Sequence, residues 1–208
     1  MTATAASDRA MSYWPTPTDL ADDLVFSVID PWHLPDGAGV RILEPSAGDG
    51  ALVRAVRGRL PAARVTAVEP EPGRAAQLMA AGIADEVVAS TLEDYLTQAV
   101  AEPYDLVIAN PPFTLPGRRE AWAEHLLAIA HHPRLLAAGA VVASVVPRIV
   151  MTGQSKRVRQ LRSLMTFPAM QTQECPAGSF GAAVPTALIW FEAPTPTPVQ
   201  GSLLEVTG

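Results

Sequence analysis

Short β-branched, apolar runs alternate with helix-patterned stretches along most of this chain. The strand-like runs are residues 40–44, 64–69, 86–90, 104–109, 141–146 and 187–192, and the helical patterns are 18–29, 50–59, 72–81, 118–137 and 154–165. Strand, helix and strand at this spacing form right-handed crossover units, so the pattern predicts an α/β fold with a doubly wound, mostly parallel sheet covered on both faces. Ligands of such sheets bind at the carboxyl ends of the strands, near the point where strand order reverses. The residues that end each strand are therefore where chemistry is expected.

The 208 residues suit one sizeable domain. Apolar residues at 49% and charged residues at 17% match a packed, soluble protein rather than a disordered one. A head at 1–12 and a tail at 193–208, with its Pro194-Thr195-Pro196-Thr197-Pro198 run, flank a folded unit expected over 13–192. The single cysteine, Cys175, cannot close an intramolecular disulfide, and the lack of a Cys/His cluster argues against a metal site. A reducing, cytoplasmic setting is expected. The longest nearly apolar run, 135–147, has 13 residues, too few to span a bilayer of about 30 Å as a helix. The N-terminus lacks the basic start and apolar stretch of a signal peptide, so no membrane role is expected.

Charge is uneven. The net balance of −6 argues against bulk attraction to nucleic acid. Residues 118–162, however, hold eight basic and two acidic side chains, a local +6 that leaves −12 for the remainder. A solvated face or a phosphate-binding face both fit that composition, and position relative to a site decides between them.

The first strand ends in Glu44-Pro45-Ser46-Ala47-Gly48-Asp49-Gly50, whose glycines allow a tight turn and close approach of a ligand to the backbone. A plain β-to-α turn accounts for such a pair equally well. The full dinucleotide fingerprint and the phosphate-binding Gly-Lys-Ser/Thr loop are both missing, which disfavours nicotinamide, flavin and nucleoside triphosphate chemistry. The second strand ends in Glu69, 25 residues after Glu44, placed to accept both hydroxyl hydrogens of a ribose. The two ends together suggest a nucleoside ligand. After the third strand, Asp94 suits an exocyclic amino group, with the neighbouring Tyr95 ring packed on a base; Asp94 suits a helix N-cap as well.

The fourth strand ends in Asn110-Pro111-Pro112-Phe113. Consecutive prolines fix φ and restrict the residue before each, making a rigid extended hook. Such a hook can hold the Asn110 side-chain oxygen and the Pro111 carbonyl as converging acceptors for an amino group on an aromatic ring, with Phe113 stacked on that ring. As the nitrogen loses planarity its lone pair becomes available for attack, without a strong base.

With these strand ends in order, the sequence resembles the class I S-adenosyl-L-methionine-dependent methyltransferases. Asn-Pro-Pro-Phe is similar to the catalytic motif of members that methylate amino groups, most of all DNA adenine-N6 methyltransferases whose cofactor motifs precede the catalytic one. The resemblance spans about residues 13–192 and implies a Rossmann-like, seven-stranded sheet with an antiparallel last strand. It implies S-adenosyl-L-methionine as cofactor, with Glu44, Ser46, Gly48 and Gly50 in the loop around its methionine part. Glu69 is implied at the ribose, Asp94 and Tyr95 near the adenine, and Thr16 and Pro17 in the N-terminal segment that closes over the methionine end. Asn110, Pro111, Pro112 and Phe113 match the catalytic loop. Ala177-Gly178-Ser179-Phe180 resembles the segment supplying a second ring, Phe180, to a flipped base. Phe180 suits a core role equally.

The resemblance makes DNA the expected partner. Larger relatives carry a target-recognition domain, whereas about 16 residues follow the last strand here, so Arg148, Lys156 and Arg157 are expected to contact phosphates from the rim of the site. A separate specificity partner or a second copy of the chain would serve the same end. Pro185 is expected at the start of the last strand or at a bulge, since it has no amide donor. Methylation of an RNA or protein-glutamine amino group, and a binding module without catalysis, stand as alternatives.

Overall fold

In the computed structural model of the protein, the described residues are 14–32, 37–98, 101–164, 171–174 and 184–193. In chain order the elements are α1 (Thr18–Trp32), β1 (Arg41–Glu44), α2 (Ala51–Arg59), β2 (Arg64–Val68), α3 (Pro72–Ala81), β3 (Glu86–Val88) and α4 (Leu92–Leu96). They continue with β4 (Tyr104–Ala109), α5 (Ala121–His131), β5 (Leu136–Pro147), a 3₁₀ turn (Arg148–Val150), α6 (Lys156–Leu164), β6 (Gln171–Glu174) and β7 (Thr186–Glu192).

The strands form one seven-stranded sheet of order β3-β2-β1-β4-β5-β7-β6. Pairings from β3 across to β5 are all parallel, and β7 runs antiparallel to both β5 and β6. The predicted doubly wound sheet with an antiparallel last strand is thus the observed one. Strand order reverses between β1 and β4, and a crevice opens at their carboxyl ends, as the crossover connections require.

Period-two alternation divides the core between the two faces. Ile42, Leu106, Ile108, Val141 and Val145 pack with Leu24 and Val28 of α1 and Val53 and Val56 of α2. Their neighbours Leu43, Val107, Val142 and Val146 point to the other face, against Trp122, Leu126 and Ile129 of α5 and Val158 of α6. Burial on both faces is why these strands read as continuous apolar runs.

The structure corrects several boundaries. The predicted helix 118–137 shrinks to α5. At its front, Gly117 at φ +74° turns the chain within the Leu115–Arg118 bridge; after it, Leu136 already pairs with Tyr104 in the sheet. A register shift follows, with Gly139 at φ +75°, so β5 begins five residues before the predicted strand. The short α4 escapes periodicity because it has only five residues. The position of β6 carries no apolar run, its sequence being Gln-Thr-Gln-Glu. Pro185 immediately precedes β7 and its carbonyl accepts from Arg148 N at 2.8 Å, so the missing amide falls outside the ladder. Residues 1–12, Cys175, Phe180 with its neighbouring segment, and the tail beyond Ala193 lie outside the described residues.

Among the described residues, no helix is long and apolar enough to cross a membrane.

Candidate active site

A cleft opens at the carboxyl ends of β1, β2 and β4, where a doubly wound sheet binds its ligands. Its floor is the turn after β1. Ala47 N donates to Val68 O at 2.9 Å, tying the turn to β2, and Gly48, at φ +57°, donates its N–H to Glu69 Oε2 at 2.8 Å. Ser46 and Gly48 line the cleft as expected. Gly50 does not. It caps α2 at φ +87°, a left-handed backbone that favours glycine without any ligand, and a Cβ there would press on the terminal methyls of Ile83 and Leu78 at 2.7 Å.

Glu44 also lies below the wall rather than in it. It is buried, with Oε1 accepting from Ser46 N and Oγ at 3.2 Å each, while Oε2 finds no hydrogen-bond partner among the described residues. Burial above all, with Glu69 nearby, pushes its carboxyl well above the ordinary value. Glu44 thus braces Ser46, and the loop presents Ser46 to the cleft.

Glu69 reaches the wall although only 3% exposed. Besides Gly48 N it accepts from Glu71 N at 2.9 Å and from Arg74 Nε at 3.0 Å. The sequence offered Asp94 and Tyr95 as the next contributors, and here the structure differs. Thr91, Leu92 and Glu93 line the cleft instead. Thr91 caps α4, accepting from Asp94 N at 3.1 Å and donating its hydroxyl to exposed Asp94 at 2.8 Å. Tyr95, one residue on, points into the core, where its hydroxyl bonds that of Tyr104; burial, then that bond, raises its pKa.

Asn110, Pro111, Pro112 and Phe113 all line the cleft. The Asn110 Nδ2 donates to Trp14 O at 3.2 Å and to Thr16 Oγ1 at 3.0 Å. Those two acceptors fix the amide's orientation, so its Oδ1 faces away from them as an acceptor. Thr16 belongs to the wall; Pro17 instead immediately precedes α1, its carbonyl accepting Ala21 N at 3.0 Å.

Sequence reasoning gave no role to Pro70, Arg74, Leu115 and His125, which line the cleft, and did not single out Trp14 and Glu93, neighbours of residues it named. Arg74 could have been sought as the basic residue in the first turn after an acid-ending strand. His125 carried no signal, being a lone histidine on an apolar helix. It is 7% exposed, and its Nε2 lies 3.4 Å from Glu93 Oε1 without the alignment of a hydrogen bond. Burial lowers its pKa below the usual 6.5, only partly offset by Glu93.

Arg148, Lys156 and Arg157 do not line the cleft. Arg148 leaves the carboxyl end of β5, and Lys156 and Arg157 open α6, which packs on α5. Part of the basic segment holds the fold together. Arg157 pairs with Glu124 at 3.0 Å, Arg118 bridges Glu93 and Glu124, and Arg162 donates to the Val150 and Gly153 carbonyls. Arg119, Arg134, Lys156 and Arg159 are exposed. Among the described residues no group of three metal-ligating side chains converges.

No protein-family model matches the chain. The Type II methyltransferase M.CvrRI of Paramecium bursaria Chlorella virus XZ-6E is 35% identical over 98 residues, which is 47% of this chain and 23% of that protein. Less than a quarter of that relative's length is therefore matched. Among solved structures, a candidate class I S-adenosylmethionine-dependent methyltransferase from Listeria monocytogenes superposes with a TM-score of 0.67 at 14% identity, covering 91% of this chain and 66% of that one. The plantazolicin methyltransferase BpumL, solved with SAH, gives 0.56 at 14% identity over 92% and 89%. TrmN from Thermus thermophilus gives 0.57 at 18% identity over 84% and 48%.

Proposed function

We propose that this chain, which has the class I S-adenosylmethionine-dependent methyltransferase fold, transfers a methyl group from S-adenosyl-L-methionine to the exocyclic amino nitrogen of an adenine in DNA. The observation that carries the reading is the orientation of Asn110: with Nδ2 engaged by Trp14 and Thr16, Oδ1 is the acceptor end of the amide. Support for the cofactor comes from the cleft's donor set. Gly48 and Ser46 offer backbone approach, Glu69 offers a carboxylate to a ribose, and Pro70 and Leu92 offer apolar surface to a purine. When bound, the cofactor supplies an activated methyl on a sulfonium, itself an excellent leaving group.

The protein's own residues supply alignment. Asn110 Oδ1 and Pro111 O accept the two amino hydrogens, so the nitrogen lone pair is aimed for in-line attack and the proton passes to solvent after transfer. Phe113 stacks on the base. Base–aromatic stacking of ~1–3 kcal/mol offsets much of the cost of extruding a base. DNA as substrate is supported by the phenylalanine of the hook and by the partial identity with a Type II methyltransferase. Lys156 and its exposed neighbours on α6 serve as phosphate contacts in this reading, as does Arg148. Phe180 is proposed as the second ring.

The test is methyl transfer from labelled S-adenosylmethionine offered in parallel to duplex DNA, single-stranded DNA, RNA and protein, followed by nucleoside mass spectrometry. N6-methyladenine in DNA, lost in Asn110→Ala while cofactor binding persists, is the expected result. Label confined to RNA or protein would replace the substrate, and full turnover by Asn110→Ala would remove the mechanism.

A further inference from the structure

Glu69 is already heavily engaged within the protein. Its Oε2 accepts from Gly48 N at 2.8 Å, and its Oε1 accepts from both Glu71 N at 2.9 Å and Arg74 Nε at 3.0 Å. A carboxylate offers about four lone-pair directions. Three are filled by these donors, and among the described residues none takes the fourth, on Oε2, which remains for whatever enters the cleft. A ribose brings two hydroxyls.

Arg74 is held where it is by the start of α3. Pro72 occupies the first turn, and the Glu71 side chain accepts from Gly73 N at 2.9 Å and Arg74 N at 2.7 Å, a double N-cap that sets the helix rotation. That rotation turns Arg74, itself 8% exposed, back onto Glu69 and into the cleft wall. A guanidinium has donors only and cannot accept a hydroxyl hydrogen.

We infer that Arg74 is a positioning residue that restricts Glu69 to a single hydroxyl, so that the cleft reads the two ribose hydroxyls of its nucleoside ligand unequally. One hydroxyl donates to Glu69 Oε2. The other meets an Oε1 already saturated by Glu71 N and Arg74, and its hydrogen turns to solvent. The sequence expectation that Glu69 takes both hydrogens is thereby changed by an arginine five residues further on. The inference rests on the reading of the cleft as a nucleoside-cofactor site.

Isothermal titration of the full chain with S-adenosylhomocysteine and its 2′-deoxy and 3′-deoxy analogues tests it. In the unaltered protein, one analogue should bind at least about tenfold more weakly, the size of a lost hydrogen bond to a charged group, and the other within about threefold of the parent. Arg74→Met opens Oε1, so the two analogues should become alike; Arg74→Lys, which still places a donor there, should retain the inequality. A merely structural role would weaken all three ligands together and leave their ratios unchanged. Equal losses for the two analogues in the unaltered protein overturn the inference without any variant, as does an inequality that survives in a folded Arg74→Met protein. Failure of the unaltered protein to bind any of the three removes the nucleoside reading itself.

Discussion

Asn110 illustrates how little freedom a residue in this cleft retains. An amide presents a donor end and an acceptor end, and here Thr16 and the Trp14 carbonyl take the donor end. Thr16→Val deletes one of those acceptors, so the amide samples the wrong orientation. We expect transfer to fall about five- to tenfold, the scale of one hydrogen bond of about 1 kcal/mol, with S-adenosylhomocysteine affinity changed less than about twofold; equal losses in turnover and affinity would contradict it. His125 predicts a pH effect. Its folded pKa lies below the usual 6.5, so below that pH the unfolded chain binds more protons than the folded one. The stability it contributes is present above about pH 6.5 and is lost as pH falls through the folded value. Melting temperatures measured from pH 7.5 to 5 should therefore drop more steeply for the unaltered protein than for His125→Gln, and parallel curves would refute this. Residue types at strand ends were legible: Ser46, Gly48, Glu69 and Asn110–Phe113 all line the cleft. Glu44, Gly50, Asp94, Tyr95 and Pro17 were legible as neighbours of the site but not as parts turned away from it.

At the scale of elements, each turn after a strand does two things at once. The turn from β1 to α2 exposes Gly48 and buries Gly50 against Ile83 and Leu78. Gly50→Ala combines a left-handed backbone with an overpacked contact, and we expect a loss of about 2–4 kcal/mol in chemical denaturation. An unchanged denaturation midpoint would show that the turn relaxes freely. Strands β1, β2 and β4 were readable because both faces are covered and their composition is apolar throughout. β6 was not, because it lies at the sheet edge and pairs only with β7. Helix α5 was overextended because Leu135 and Leu136 continue an apolar periodicity that the sheet claims, Leu136 pairing with Tyr104. Local pattern cannot report that competition.

Across the whole molecule, charge is segregated: an acidic body carries a basic stretch that runs from just after the Asn110–Phe113 hook through α5 and α6. Arg118 and Arg157 close ion pairs and Arg162 bonds backbone carbonyls, so the surface available to phosphate is smaller than composition suggests. Lys156→Glu combined with Arg159→Glu should weaken binding to duplex DNA at least tenfold at about 0.1 M salt and flatten its salt dependence, leaving S-adenosylhomocysteine affinity unchanged; unaltered DNA affinity would place the substrate elsewhere. Order of elements, handedness of crossovers and the identity of the strand-end residues were determined by the sequence alone, because hydrophobic periodicity and glycine or proline backbone limits act over a few neighbouring residues. Which of those residues face the cleft was decided only in three dimensions. Asn110 is oriented by residues 94 and 96 positions away, Glu69 by a turn 21 positions away, and Arg74 and His125 enter the wall through the rotation of helices whose packing partners are distant in the chain.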